Sequence, residues 1–175
     1  MDYYKKTILE GKKPTAVMSL EDYKATLFAD APKLSKVDVW NYLSVANCYG
    51  NAQYLCSFNG LFSNFGERYN YCEGVVVTIL GLSSGKPTAV HHSFIYSTKY
   101  DCYVDCTPNQ KPNQCFYFIS DEVEGDKLNE LIDTLDDESV PSFIHSEEPL
   151  GLEVECSWIM KRLTVIQHPK TDRED

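Results

Sequence analysis

The chain has no long apolar run, no closely spaced cysteine-pair motif and little positive charge. Its most apolar stretch, VVVTIL at 75–80, is far shorter than the roughly 20 residues a membrane-spanning helix needs. The first residues, MDYYKKTILEGKK, lack the apolar core of a secretory leader, so a cytoplasmic chain without membrane association is expected. Lys and Arg number 16 against 26 Asp and Glu, a formal net charge of −10, which argues against nucleic acid as a partner. Seven cysteines are an odd count and none falls in a CxxC pair, which favours reduced thiols over a disulfide framework. Cys102 and Cys106 share a face of an extended segment but lie ~13 Å apart, too far to bind one metal. Neither a metal nor any other cofactor is expected.

What is present is the composition of a globular protein: 175 residues, 43% apolar and 24% charged. That length suits one domain with a sizeable core. The expected organisation is a single α+β domain over 1–168, N-terminal helices packed on an antiparallel β-meander, followed by a frayed tail at 169–175. Acidity is concentrated late. Between Asp121 and Cys156 stand thirteen acids and one base, Lys127, so the rest of the chain is close to neutral.

Ser19, followed by Glu21 and Asp22, reads as the N-cap of a short helix ending before Pro32. Ser35 reads as a second cap, with Val37, Trp40 and Val45 as a buried stripe. Cys48, Ala52, Leu55 and Cys56 follow helical spacing and place Cys48 in a first turn, although Gly50 weakens that helix. NGLFSNFGERYN reads as a polar loop. The texture then turns β-branched: YCEGVVVTILGL, AVHHSFIYS, CYVDCT and QCFYFIS alternate with turn-forming segments as about four strands. DEVEGDKLNELIDTLDD reads as an acidic amphipathic helix with Leu128, Leu131, Ile132 and Leu135 on one side. VECSWIMKRLTVI reads as a last strand. Helices first and strands after them imply α+β and not alternating βαβ units.

Two adjacent histidines sit in the second strand. Alternation puts Val90, His92, Phe94 and Tyr96 on one face and His91, Ser93 and Ile95 on the other. An even-numbered turn within TKYD sets His92 directly opposite Asp105 or diagonal to it on the same face. The Cβ separation is then ~5 Å or ~7–8 Å, within reach of an imidazole–carboxylate hydrogen bond. A three-residue turn would select His91 instead. A carboxylate holding one ring nitrogen fixes the tautomer and stabilises the imidazolium. The nucleophile such a pair needs is best supplied by Cys48. A helix N-terminus favours thiolate through its partial positive charge and backbone N–H groups, and an imidazolium lowers the thiol pKa further. The Cys48 N–H is an oxyanion donor, with Asn47 and Asn51 as alternative side-chain donors.

In this order, NCYGNA, YCEG, HHSF and VDCT resemble the C-Y-x-N-A … E-G … H-A-W … V-D-P-T pattern of small transglutaminase-like proteins within the papain-like cysteine hydrolases. The resemblance covers Cys48 to Thr107. It implies a papain-like or transglutaminase-like fold with Cys48 as nucleophile, His92 as base and Asp105 as orienting acid. It also implies a site-lining place for Glu73 on the E-G element. Ser93-Phe94 replaces Ala-Trp, Cys106 replaces Pro, and Tyr42 stands where papain-type enzymes carry an oxyanion glutamine. The sequence before the cysteine is not rich in arginine and glycine, as an arylamine acyltransferase would require.

The implied activity is amide hydrolysis or acyl transfer on a protein or peptide, through a thioester on Cys48. The competing expectation is a protein-binding module with an idle triad, its acidic surface engaging a basic partner. Tyr69, Tyr71, Tyr96, Tyr100 and Tyr103 are read as half-buried strand residues in preference to a substrate groove.

Overall fold

The computed structural model describes residues 2–78, 87–133 and 151–153. It is mixed α and β, as the order of elements implied, but the chain starts differently. Asp2–Glu10 forms a helix, α1, that the sequence reading did not anticipate. Tyr4 and Ile8, one turn apart, are buried against Val75, Val77, Ala89 and Phe118. After the three-residue strand β1 (Val17–Ser19) comes α2 (Leu20–Asp30). Ser19 caps it as expected, its Oγ accepting the Asp22 N–H at 3.1 Å.

The helix expected from Ser35 does not form. Pro32–Lys36 and Asp38–Tyr42 are two short 3-10 turns separated by an extended Val37. The Leu34 carbonyl takes the Val37 N–H at 3.2 Å, a 3-10 bond, together with the Trp40 indole at 2.8 Å, and the Ser35 hydroxyl donates to the Pro32 carbonyl at 2.7 Å. Val39 and Trp40 are buried, while Val45 is 64% exposed. The helix α3 (Cys48–Ser57) forms where the spacing placed it, burying Ala52, Leu55 and Cys56. What was expected as loop holds the short helix α4 (Asn59–Phe62) and a 3-10 turn, Ser63–Phe65. Phe62 drives this, packing edge-on against Trp40 and Tyr69 with centroids at 5.6 and 4.9 Å.

Four longer strands follow: β2 (Tyr69–Thr78), β3 (Thr88–Ser97), β4 (Cys102–Asp105) and β5 (Cys115–Glu124). They do not run as a plain meander. β2, β3 and β4 are consecutive neighbours, but β5 crosses back to the free edge of β2, and β1 joins β4 in parallel, giving the order β1-β4-β3-β2-β5. Asp121–Glu124, expected in the acidic helix, instead pair with Asn70–Glu73, so that α5 is Gly125–Asp133. Long-range pairing overrides the local helical pattern there. β6 (Gly151–Glu153) adds to β3. Leu135, the strand expected from Val154 and the tail lie outside the described residues.

The sheet curls until one segment bridges both its edges. Lys12 exchanges backbone hydrogen bonds with Ile119 of β5 at 3.0 and 2.8 Å, and seven residues later Ser19 is aligned with Asp105 of β4. Cys72, Val76, Phe94, Tyr103, Tyr117 and Ile119 pack on the enclosed face. The other face carries α1 and, beside it, α2 and α3 over Tyr69, Tyr71, Ile95 and Val104. A bulge at Glu73/Gly74 steepens the curl. A Cβ on Gly74 would stand 2.0 Å from the Phe118 carbonyl oxygen, so only glycine fits.

Candidate active site

The strand register decides between the two histidines. β3 and β4 pair Ile95 with Val104, Tyr96 with Tyr103 and Ser97 with Cys102, around the four-residue turn Thr98–Asp101. Continuing that register sets Asp105 opposite Phe94 and diagonal to His92. Nε2 of His92 stands 2.8 Å from Oδ2 of Asp105. The same carboxylate oxygen accepts the Tyr117 hydroxyl at 2.6 Å, and Oδ1 accepts the Thr107 N–H at 3.0 Å. Three donors on a fully buried carboxylate hold it in one orientation and keep it ionised. Burial is the largest influence and pushes its pKa up, but the His92 charge and these hydrogen bonds outweigh it and leave the group below the usual carboxylate value.

β4 ends at Asp105, and this opens the outer edge of β3. Beyond Ile95 that edge has no β4 partner, and β6 takes it up again only at Val90. The N-terminus of α3 fills the interval. The Ser93 N–H and His92 both hydrogen-bond Cys48. Because Nε2 of His92 is committed to Asp105, the ring presents Nδ1 to the sulfur. Asn51 sets the helix there. Its Oδ1 accepts the Ser44 N–H at 3.0 Å, and its Nδ2 donates to the carbonyls of Ser44 and Cys106 at 2.8 and 3.2 Å. One amide thus fastens the first turn of α3 to the incoming chain and to the end of β4. Ala46, at φ 59, holds a left-handed conformation that turns the chain into the helix.

The electrostatics follow from this contact. For Cys48, burial is the largest influence and raises the thiol pKa. The His92 hydrogen bond and charge and the Ser93 N–H outweigh it, so the net shift is downward. For His92, burial disfavours the cation, yet the Asp105 charge and hydrogen bond, then Cys48, raise its pKa to about 10. The two shifts run in opposite directions, and both favour the thiolate–imidazolium pair over the neutral pair. The other described cysteines shift the opposite way: burial raises Cys56, Cys72, Cys106 and Cys115, and takes Cys102 to about 11. Among the described residues, no cluster of His, Cys, Asp and Glu is disposed to hold a metal.

No protein-family model, curated protein or solved structure matches this chain. The geometry of the site alone therefore carries its interpretation. No helix among the described residues is long and apolar enough to cross a membrane.

The structure brings Cys48, His92 and Asp105 together and separates the accessory candidates. Asn51 is corrected from oxyanion donor to clamp, because its amide is spent on backbone groups. Asn47 is exposed at the helix mouth and makes no side-chain cap bond. Its amide lies over Gly50, where a Cβ would stand 2.5 Å from Nδ2. Glu73 is corrected as a site-lining residue. It lies fully buried on the opposite face, its Oε2 3.5 Å from His91 Nε2 and its Oε1 accepting the Tyr71 hydroxyl at 2.7 Å. His91 thus belongs to a second buried imidazole–carboxylate pair, packed against the rings of Tyr3 and Tyr49.

Tyr117 is the site residue that sequence reasoning missed. Alternation in CFYFIS marks it as facing one side of a strand. Its reach to Asp105, however, depends on β5 crossing to β2 and on the curl of the sheet.

Proposed function

We propose that this chain is a cysteine-dependent amide hydrolase or acyl transferase with a papain-like or transglutaminase-like plan, acting on a protein or peptide in the cytoplasm. The observation that carries the reading is one continuous contact: Tyr117 and Thr107 on Asp105, Asp105 on His92, and His92 on a helix-borne Cys48, the one thiol among the described cysteines that is shifted down.

The Cys48 thiolate attacks the carbonyl carbon of an amide, forming a C–S bond and moving an electron pair onto the oxygen. Cys48, Tyr49 and Gly50 head α3, whose first intrahelical bond runs from the Asn51 N–H to the Asn47 carbonyl. The Cys48 N–H and the Asn47 amide are the donors for the oxyanion. His92 gives its proton to the leaving nitrogen as the C–N bond breaks, which leaves a thioester on Cys48 and a neutral imidazole. Water or a second amine then attacks the thioester carbon and surrenders a proton to His92. The C–S bond breaks and the thiolate–imidazolium pair returns. Asp105 stays ionised and keeps the ring aligned.

Iodoacetamide labelling of the native protein tests this. Cys48 is expected to alkylate fastest of the seven cysteines at pH 7, and His92→Ala to slow that labelling while leaving the others unchanged. Equal rates at all cysteines would instead support the idle binding module.

A further inference from the structure

The backbone edge beside Cys48 has a direction. Ser93 turns its N–H outward to the sulfur, so by strand alternation the outward-facing backbone groups of β3 belong to Ala89, His91, Ser93, Ile95 and Ser97. Ile95 and Ser97 face β4, Ser93 faces Cys48, and Ala89 faces Leu152 of β6. Leu152 is thus the residue whose N–H and C=O are exchanged with those of Ala89. β6 runs antiparallel, with Gly151 opposite Val90 and Glu153 opposite Thr88. A chain on this edge therefore points its N-terminal end toward His92 and Cys48.

We propose that the Thr88–Val90 edge is the binding track for extended polypeptide on the leaving-group side of the attacked carbonyl, and that Gly151–Glu153 is its intramolecular occupant. The inference rests on the acyl chemistry proposed above. With a carbonyl carbon at the Cys48 sulfur, the residues C-terminal to it lie along Ala89. These residues depart as the amine, or arrive as the amine in acyl transfer. Recognition there is by main-chain pairing, as in strand addition to a sheet edge, so it selects extended backbone over particular side chains. A tethered strand competes at an effective concentration of roughly millimolar, enough to hold off a free peptide of ordinary affinity.

The full-length protein is acylated with p-nitrophenyl acetate, which releases p-nitrophenolate and leaves an acetyl thioester on Cys48. Deacylation is then timed with glycinamide and with the tripeptide Val-Thr-Val-amide. Each amine forms the new C–N bond as C–S breaks, and passes its proton to His92. Leu152→Pro removes the N–H that β6 donates, and Gly151→Pro is a second variant aimed at the same strand; circular dichroism checks the fold of both. Relative to wild type, each variant is expected to raise the ratio of tripeptide to glycinamide rates by about tenfold, the advantage of relieving a tethered competitor. The same ratio in wild type and both variants overturns the track alone. The absence of a p-nitrophenolate burst in the wild type overturns the acyl chemistry, and the track with it.

Discussion

Tyr117 and His92 meet on the same oxygen of Asp105, the phenol at 2.6 Å and the imidazole at 2.8 Å. The two donors reach that oxygen from different strands: His92 diagonally along the β3–β4 pair, Tyr117 across the enclosed face from β5. The carboxylate shares its negative charge between them. Tyr117→Phe therefore makes Asp105 easier to protonate, and the acid limb of the Cys48 alkylation profile is expected to move to higher pH. Losing one buried hydrogen bond costs about 1 kcal/mol of stability, measured by urea unfolding. An unmoved acid limb would show that the phenol serves packing alone.

Asp105→Asn removes the charge that most strongly favours protonated His92 over neutral. The imidazolium weakens and the thiolate loses its partner. The apparent thiol pKa is expected to rise by about one unit or more, and neutral-pH alkylation to slow by about tenfold. A pH–rate profile with iodoacetamide measures both.

The two asparagines flanking the cysteine divide cleanly. Asn51 makes three hydrogen bonds to backbone groups, so Asn51→Ala leaves backbone groups of Ser44 and Cys106 without a partner. The expected cost is roughly 1–3 kcal/mol of stability, with slower Cys48 alkylation. Asn47 is exposed and makes no side-chain cap bond. Asn47→Ala should leave stability within about 0.5 kcal/mol and the alkylation rate unchanged. It should slow acylation by p-nitrophenyl acetate, where an oxyanion forms. Loss of stability in Asn47→Ala would refute this division.

The pH dependence of stability follows from the sign of the His92 shift. Its folded pKa, about 10, lies above the ordinary histidine value of 6.5. Its stabilisation is therefore complete below about pH 6.5, the unfolded value, and is lost as pH rises through about 10. Asp105 is shifted down, so its contribution is present above the ordinary Asp value of 3.8 and lost as pH falls through its lowered folded pKa. Unfolding wild type and His92→Gln in urea at pH 6, 8 and 10.5 should show a stability difference that shrinks toward the alkaline end. A difference that grows with pH would contradict the imidazolium assignment.

How much of this was legible beforehand depended on how local the cause was. Ser19 as a cap and Cys48 at the head of a helix are set by neighbours within a turn, and both stand in the structure. The choice of His92 over His91 needed only the parity of the Thr98–Asp101 turn, because a strand has a period of two and a one-residue slip exchanges its faces. The failures fell where a distant partner outbid the local preference. The indole of Trp40 joins the Val37 N–H on the Leu34 carbonyl where an α-helix would go on, Asp121–Glu124 join β2 in place of a helix, and Asn51 is spent as a clamp.

The sequence by itself determined which side chains are candidates for chemistry and where each sits on its element, because helical spacing, strand alternation and turn parity are properties of neighbouring residues. Tertiary structure alone decided what those side chains touch. Tyr117 on Asp105, Glu73 with His91 on the far face, and Ser93 turned to the sulfur all depend on where β4 stops and how the sheet closes. That closure balances packing and backbone hydrogen bonding over the whole chain, and no short window of residues contains it.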